Sequence, residues 1–81
     1  MRHLTQLRYI DVVAREGSIR KAAEKLSITS TALNRRILAL EDEIGTPLFE
    51  RLPGGVRLNT AGELFIQHVR MQITYLSRVL S

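Results

Sequence analysis

Apolar residues recur every three or four positions through the first half of the chain, which is a helical period. Leu4, Leu7, Ile10, Val13 and Ala14 predict a first helix over 4–16. Gly17 is placed to end it and Ser18 to cap the next. Ile19, Ala22, Ala23 and Leu26 then share one face of a short helix over 19–26. Ser27-Ile28-Thr29 follows, and an apolar residue inside so short a polar link predicts a turn that packs inward. Thr29 or Ser30 can cap a third helix over 30–44, whose apolar stripe is Leu33, Ile37, Leu40 and Ile44. Gly45 and Pro47 stop it.

The period then changes. Leu48–Arg51 and Val56–Asn59 read as two short extended pieces joined by Leu52-Pro53-Gly54-Gly55, a small β-hairpin. Thr60-Ala61-Gly62-Glu63 has the form of a capping box, with Thr60 at the cap. A long helix is expected from there onward. Its apolar positions Ile66, Val69, Ile73, Leu76 and Leu80 are spaced 3, 4, 3 and 4, the spacing of a dimer seam. Leu64 and Phe65 are expected to pack down onto the domain itself. The chain stops inside this helix, as the front piece of a longer protein would. The fold class expected is mainly α with a small β-hairpin.

Composition narrows the function. The chain has 81 residues and no cysteine, so no disulfide supports its small core. The only two histidines, His3 and His68, lie far apart with no thiol companions, which argues against structural zinc. A core of this size supplies roughly 3–5 kcal/mol, which leaves oligomerisation as the remaining common source of stability. No apolar run approaches the ~18 residues of a membrane span and no signal peptide is evident, so the chain reads as cytoplasmic. No Ser/His/Asp grouping or phosphate-cradling Gly loop stands out, so neither an enzyme nor a bound cofactor is expected.

Net charge is +4 and it is segregated. Residues 1–40 carry eight Arg or Lys against three acids, and residues 41–50 carry four acids and no base. That distribution favours an anionic partner on one face. The acidic run Glu41-Asp42-Glu43 is read as a solvated face turned away from that partner.

Two helices joined by a three-residue turn over 18–37 form a helix-turn-helix. Ala22 and Ala23 are small enough to let the pair cross closely, and Ile28 plugs the turn. The second helix then exposes Ser30, Thr31, Asn34 and Arg35, the candidate base readers. Asn can bond adenine, Arg can bond guanine, and the Thr methyl can meet that of thymine, in a groove ~12 Å wide. Ser18, Arg20, Lys21 and Arg36 are candidate phosphate contacts, joined from the hairpin by Arg51 and Arg57. The expected partner is double-stranded DNA.

These residues resemble the N-terminal domain of LysR-type transcriptional regulators. The resemblance covers nearly the whole chain. It is carried by Gly17-Ser18-Ile19-Arg20-Lys21-Ala22-Ala23-Glu24-Lys25-Leu26, by Leu33-Asn34-Arg35-Arg36-Ile37 with Leu40-Glu41, by Gly45-Thr46-Pro47-Leu48-Phe49-Glu50-Arg51 and by Val56-Arg57-Leu58-Asn59-Thr60-Ala61-Gly62. It implies a bacterial winged helix-turn-helix over 1–59, with the helix-turn-helix at 18–37 and the wing at 48–59. It also implies a linker and dimerisation helix over 60–81, and an effector-binding domain absent from these residues. Relatives bind partly palindromic sites as homodimers that often pair into tetramers, and a small-molecule effector acts through the absent domain. The family usually has Gln at Ser30 and often Ser at Asn34, so this chain loses a long bidentate reader at the helix start and gains a candidate adenine reader one turn later. Arg35 and Arg51 match the family. Gly54 stands where the wing tip often carries a basic residue, and Arg57 is the nearest replacement. Asn59 replaces the usual Thr, with Thr60 left to cap. Two alternatives share part of the pattern: another winged-helix regulator of MarR-like type, and a basic helical protein-interaction module.

Overall fold

The computed structural model describes residues 2–80, and the side chains of residues 7–72 and 74–80. Four helices and one hairpin follow in the order α1 (Arg2–Glu16), α2 (Ile19–Leu26), α3 (Ser30–Ile44), β1 (Phe49–Leu52), β2 (Gly55–Leu58) and α4 (Thr60–Leu80). The expected elements are all present. The expected positions Leu4 and Ile73 have side chains outside the described set.

Side chains terminate the two short-linked helices as anticipated. Ser18 has extended backbone and its Oγ accepts from the Lys21 N–H at 3.2 Å. Thr29 does the same for α3, accepting from the Ala32 N–H at 3.1 Å. Between them the chain turns on Ser27, in the left-handed region at φ 58°. The Ile28 N–H then reaches back to the Ala23 carbonyl at 3.1 Å, closing the end of α2. Ile28 packs against the core, as a plug for this turn should.

One core joins all the elements. Ile10 and Val13 of α1, Ala22 and Ala23 of α2, and Leu33 and Ile37 of α3 are buried together with Leu48, Phe49, Val56 and Ile66. The two alanines carry no side-chain bulk, which lets α2 sit directly on its neighbours. Ile44 falls outside the core and is partly exposed, one turn beyond the last buried residue of α3, Leu40.

The hairpin is antiparallel, with Phe49 opposite Leu58, Glu50 opposite Arg57, Arg51 opposite Val56 and Leu52 opposite Gly55. Its connection is therefore Pro53-Gly54 alone, two residues shorter than the link expected from sequence. Both strands also begin and end one residue later or earlier than expected, because pairing runs up to the turn. Only Phe49 and Val56 are buried in it, so the tip projects.

Three sets of hydrogen bonds lock this hairpin down. The Glu41 carboxylate accepts from the Leu48 and Phe49 N–H groups at 2.6 and 3.3 Å. Glu41 is thus not part of a solvated acidic face; it satisfies donors that β1 would otherwise leave open. The Val56 N–H donates to the Gly17 carbonyl at 3.1 Å, and a Cβ at Gly55 would collide with that same oxygen. Asn59 completes the set. Its N–H donates to the Leu48 carbonyl and its Nδ2 to the Pro47 carbonyl, both at 2.9 Å, while its Oδ1 accepts from the Gly62 N–H at 2.8 Å.

Asn59, not Thr60, is therefore the cap of α4. The Glu63 N–H already bonds the Asn59 carbonyl at 2.9 Å, so Thr60 lies inside the helix and the expected capping box does not form. Asn wins because it also reaches the Pro47 carbonyl, which a threonine one residue later would not bridge.

The first half of α4 belongs to the core. Ile66 and Val69 are each only 2% exposed within one chain. Phe65 packs against the core as expected, but Leu64 does not and is 66% exposed. Asp11 of α1 fastens the same stretch, accepting from Arg70 Nη2 at 2.6 Å and Nε at 2.8 Å, and from Arg15 Nε at 3.0 Å.

Two outcomes follow from this packing. A Cβ at Gly62 would collide with the Leu48 carbonyl oxygen and lie 2.8 Å from Leu58 Cδ2, whereas one at Gly54 would meet nothing. Gly62→Ala is expected to cost about 2 kcal/mol in urea denaturation, and Gly54→Ala less than about 0.5 kcal/mol. Partial burial pushes the Asp11 carboxyl up, but the hydrogen bonds from Arg70 and Arg15 outweigh it and hold Asp11 below its ordinary 3.8. A lowered carboxylate stabilises above its unfolded value and loses that contribution as pH falls through its folded one. Asp11→Asn should therefore cost about 1 kcal/mol at pH 7, a small figure because Arg70 is half exposed. The gap between variant and wild type should close as the medium is acidified below pH 3.8.

Candidate nucleic-acid interface

The rotation of α3 is set by its buried stripe. Leu33 and Ile37 are almost fully enclosed and Leu40 nearly so, which turns Ser30, Thr31 and Arg35 outward to solvent. Asn34 is half-buried at the margin of the same face, next to the hairpin. The four expected base readers therefore share one side of one helix. The Ser30 and Thr31 N–H groups precede the first intrahelical bond, from Leu33 to Thr29, and so remain as donors at the positive end of the helix dipole. The acids Asp42 and Glu43 lie at the opposite end, roughly 20 Å away along the axis.

The basic residues divide into two sets. Among the described residues, Arg20, Lys21 and Arg35 form no ion pair or side-chain hydrogen bond, so their charges face solvent unopposed. They flank the start of α2 and the middle of α3. Four others are held. Lys25 pairs with Glu16 at 2.9 Å, fastening α2 to α1. The Arg36 guanidinium lies 5.2 Å from the centre of the Tyr9 ring, drawn back over α1. Arg57 pairs with Glu50 at 2.7 Å across the hairpin. Arg51 donates from Nη2 to Asn34 Oδ1 at 2.8 Å, joining the wing to α3.

Ser18 is the exception among the expected phosphate contacts. Its hydroxyl already accepts the capping bond from Lys21, which leaves only its O–H proton for another acceptor. Arg36 and Arg57 keep exposed edges but are oriented by Tyr9 and Glu50, two residues the sequence reading did not single out. Glu50 was within reach, since the hairpin register places it opposite Arg57. Tyr9 was not, because nothing local relates it to a residue twenty-seven positions away. Among the described residues no group of His, Cys, Asp or Glu could hold a metal ion. None of the described helices is long and apolar enough to cross a membrane.

The expected seam on α4 does not stay on one surface. Ile66 and Val69 are consumed by the chain's own core, while Leu76 and Leu80 are exposed at 41% and 82%. The outward side instead carries Leu64, Met71, Tyr75 and Val79, each more than 60% exposed, with His68 hydrogen-bonded to Gln72 at 2.9 Å.

Residues 4–63 match the family described as "Bacterial regulatory helix-turn-helix protein, lysR family". The chain is 45% identical over 78 residues to the HTH-type transcriptional regulator ClcR of Pseudomonas putida, an alignment covering 94% of this chain and 26% of ClcR. It thus spans about a quarter of that relative's length. Among solved structures, BenM_DBD in complex with benA site 1 DNA superposes with a TM-score of 0.87 at 35% identity, covering 95% of this chain and 86% of that one. The CbnR_DBD–DNA complex gives 0.86 at 32% identity, covering 94% and 87%.

Proposed function

The chain belongs to the lysR family of bacterial regulatory helix-turn-helix proteins, and on that premise we propose that it binds double-stranded DNA sequence-specifically, as a homodimer on a pseudo-palindromic site, to regulate transcription. The observation that carries this reading is the outward face of α3, where Ser30, Thr31, Asn34 and Arg35 stand together beside the wing. It is supported by the likeness to two domains solved in complex with DNA. In this reading α3 enters the major groove, and Arg35 reaches a base edge because no acid restrains it. Arg20 and Lys21 hold phosphate and set the register. Arg57 approaches the backbone from the returning strand, where Gly54 leaves the wing tip without a charge. Effector recognition, and any pairing of dimers into tetramers, is assigned to residues other than these 81.

The dimer contact follows from what α4 leaves uncovered. A helix of 21 residues is about 31 Å long, and after Arg70 every described side chain on it is exposed. Met71, Tyr75, Leu76, Val79 and Leu80 make this stretch apolar, and a second copy would cover it. Leu76 and Leu80 stay in the proposed contact, whereas Ile66 and Val69 support it from inside. A dimer places two copies of α3 on one side of the duplex, which is the reason to expect a two-fold site.

Gel shifts against a selected duplex and a scrambled one test the DNA reading. Arg35→Ala should cost about 1–3 kcal/mol on the selected duplex and little on the scrambled one. With about eight phosphates neutralised per dimer, log K should fall against log salt with a slope near −7. No binding by the wild-type chain at micromolar concentration and low salt would sink the reading. The dimer has its own check in sedimentation. The double variant Tyr75→Asp/Leu76→Asp alters only exposed positions, so it should keep its helical content, sediment as a monomer and bind the selected duplex at least about tenfold more weakly.

A further inference from the structure

The hydrogen bond from Arg51 to Asn34 joins a side chain of the wing directly to a side chain of α3. Both partners are well placed to keep it. Arg51 sits in β1 opposite buried Val56, so the strand register fixes its origin. Asn34 follows Leu33, whose enclosure fixes the rotation of α3. The Nη2–Oδ1 distance of 2.8 Å is that of a well-formed bond.

Its chemical consequence concerns the carboxamide. Arginine offers five donors and no acceptor. Only the Asn34 oxygen can face it; a carboxamide turned by half a rotation would point its amino group at the guanidinium. The flip of Asn34 is therefore dictated by Arg51, and the Nδ2 amino, which has no hydrogen-bond partner among the described residues, is the group left for a base. An asparagine free to turn offers a donor or an acceptor at will. This one offers a donor.

We propose that Arg51 is a positioning residue for base reading: by holding the Asn34 oxygen it makes Asn34 a donor-only reader, which excludes cytosine at the base it meets. The proposal rests on the DNA-binding reading above. In the major groove guanine presents N7 and O6, adenine N7, and thymine O4, so each has an acceptor for an amino group. Cytosine presents only its N4 amino group, and donor would meet donor. Arg51 keeps Nε and Nη1 for a phosphate, so its effect on affinity and its effect on preference are separable.

The test is selection of bound duplexes from a random pool by the full 81-residue chain and four variants, with helical content checked by circular dichroism. The wild type should exclude cytosine at one position of each half-site. Arg51→Ala frees the carboxamide to turn its oxygen outward, and should raise cytosine at that position by about tenfold. Asn34→Ala should erase the preference at the same position, and the double variant Asn34→Ala/Arg51→Ala should match Asn34→Ala in preference there. Asn34→Asp keeps a partner for Arg51 but offers only acceptors, and should select cytosine where the wild type excludes it. The proposal is overturned if Arg51→Ala weakens all duplexes alike while cytosine stays excluded, or if Asn34→Asp also excludes cytosine. A wild-type chain that enriches no sequence at all overturns the DNA reading and this proposal together. That outcome is told apart from the others by the wild-type pool alone.

Discussion

What faces outward on α3 is decided by what that helix buries. Leu33, Ile37 and Leu40 lie along one stripe, and they pack against α1 and the two alanines of α2. A helix with an enclosed stripe has no freedom to roll. Its remaining faces are therefore aimed with the same certainty as its core, and four polar or basic side chains are presented as a group. Losing that stripe would unfix the reading face before it altered any residue on it.

The wing depends on the same body by a different means. Only Phe49 and Val56 are fully buried in the hairpin, with Leu58 half-buried beside them, which is too little to hold two four-residue strands. Hydrogen bonding does the rest. Glu41 serves the Leu48 amide and the first amide of β1, Gly17 serves Val56, and Asn59 ties the hairpin's approach to the start of α4. Close approach is possible because Gly55 and Gly62 have no Cβ where carbonyl oxygens of Gly17 and Leu48 pass. Each tie runs from the hairpin to an element that also supports α3 or α4. The spacing between wing and α3 is thereby a property of the whole chain, and Arg51 and Asn34 meet as a result.

Charge does two kinds of work here. Lys25, Arg36, Arg57 and Arg70 each have a partner and hold elements or side chains in place. Arg20, Lys21 and Arg35 have none among the described residues and supply the outward field. Counting basic residues over 18–37 treats both kinds alike, although only the second is open to an anionic partner. The apolar residues of α4 divide in the same way, between an inner face that completes the core and an outer face left for another surface.

Much of this was legible in the chain itself, because it is local. Helix periods, the caps at Ser18 and Thr29 and the inward turn at Ile28 depend on residues within a few positions of one another. So did the stripe that aims α3, and with it the group Ser30, Thr31, Asn34 and Arg35. The tertiary structure decided what depends on distant neighbours. Asn59 displaced Thr60 as the cap of α4 because Pro47, twelve residues back, gave it a second partner. Glu41 left the solvated acids because β1 needed an acceptor. Ile66 and Val69 fit a seam by spacing alone, and only the presence of a core beneath them turned them inward. The bond between Arg51 and Asn34 spans seventeen residues and two kinds of secondary structure. A linear pattern records which side chains share a face, but which faces meet is fixed by packing.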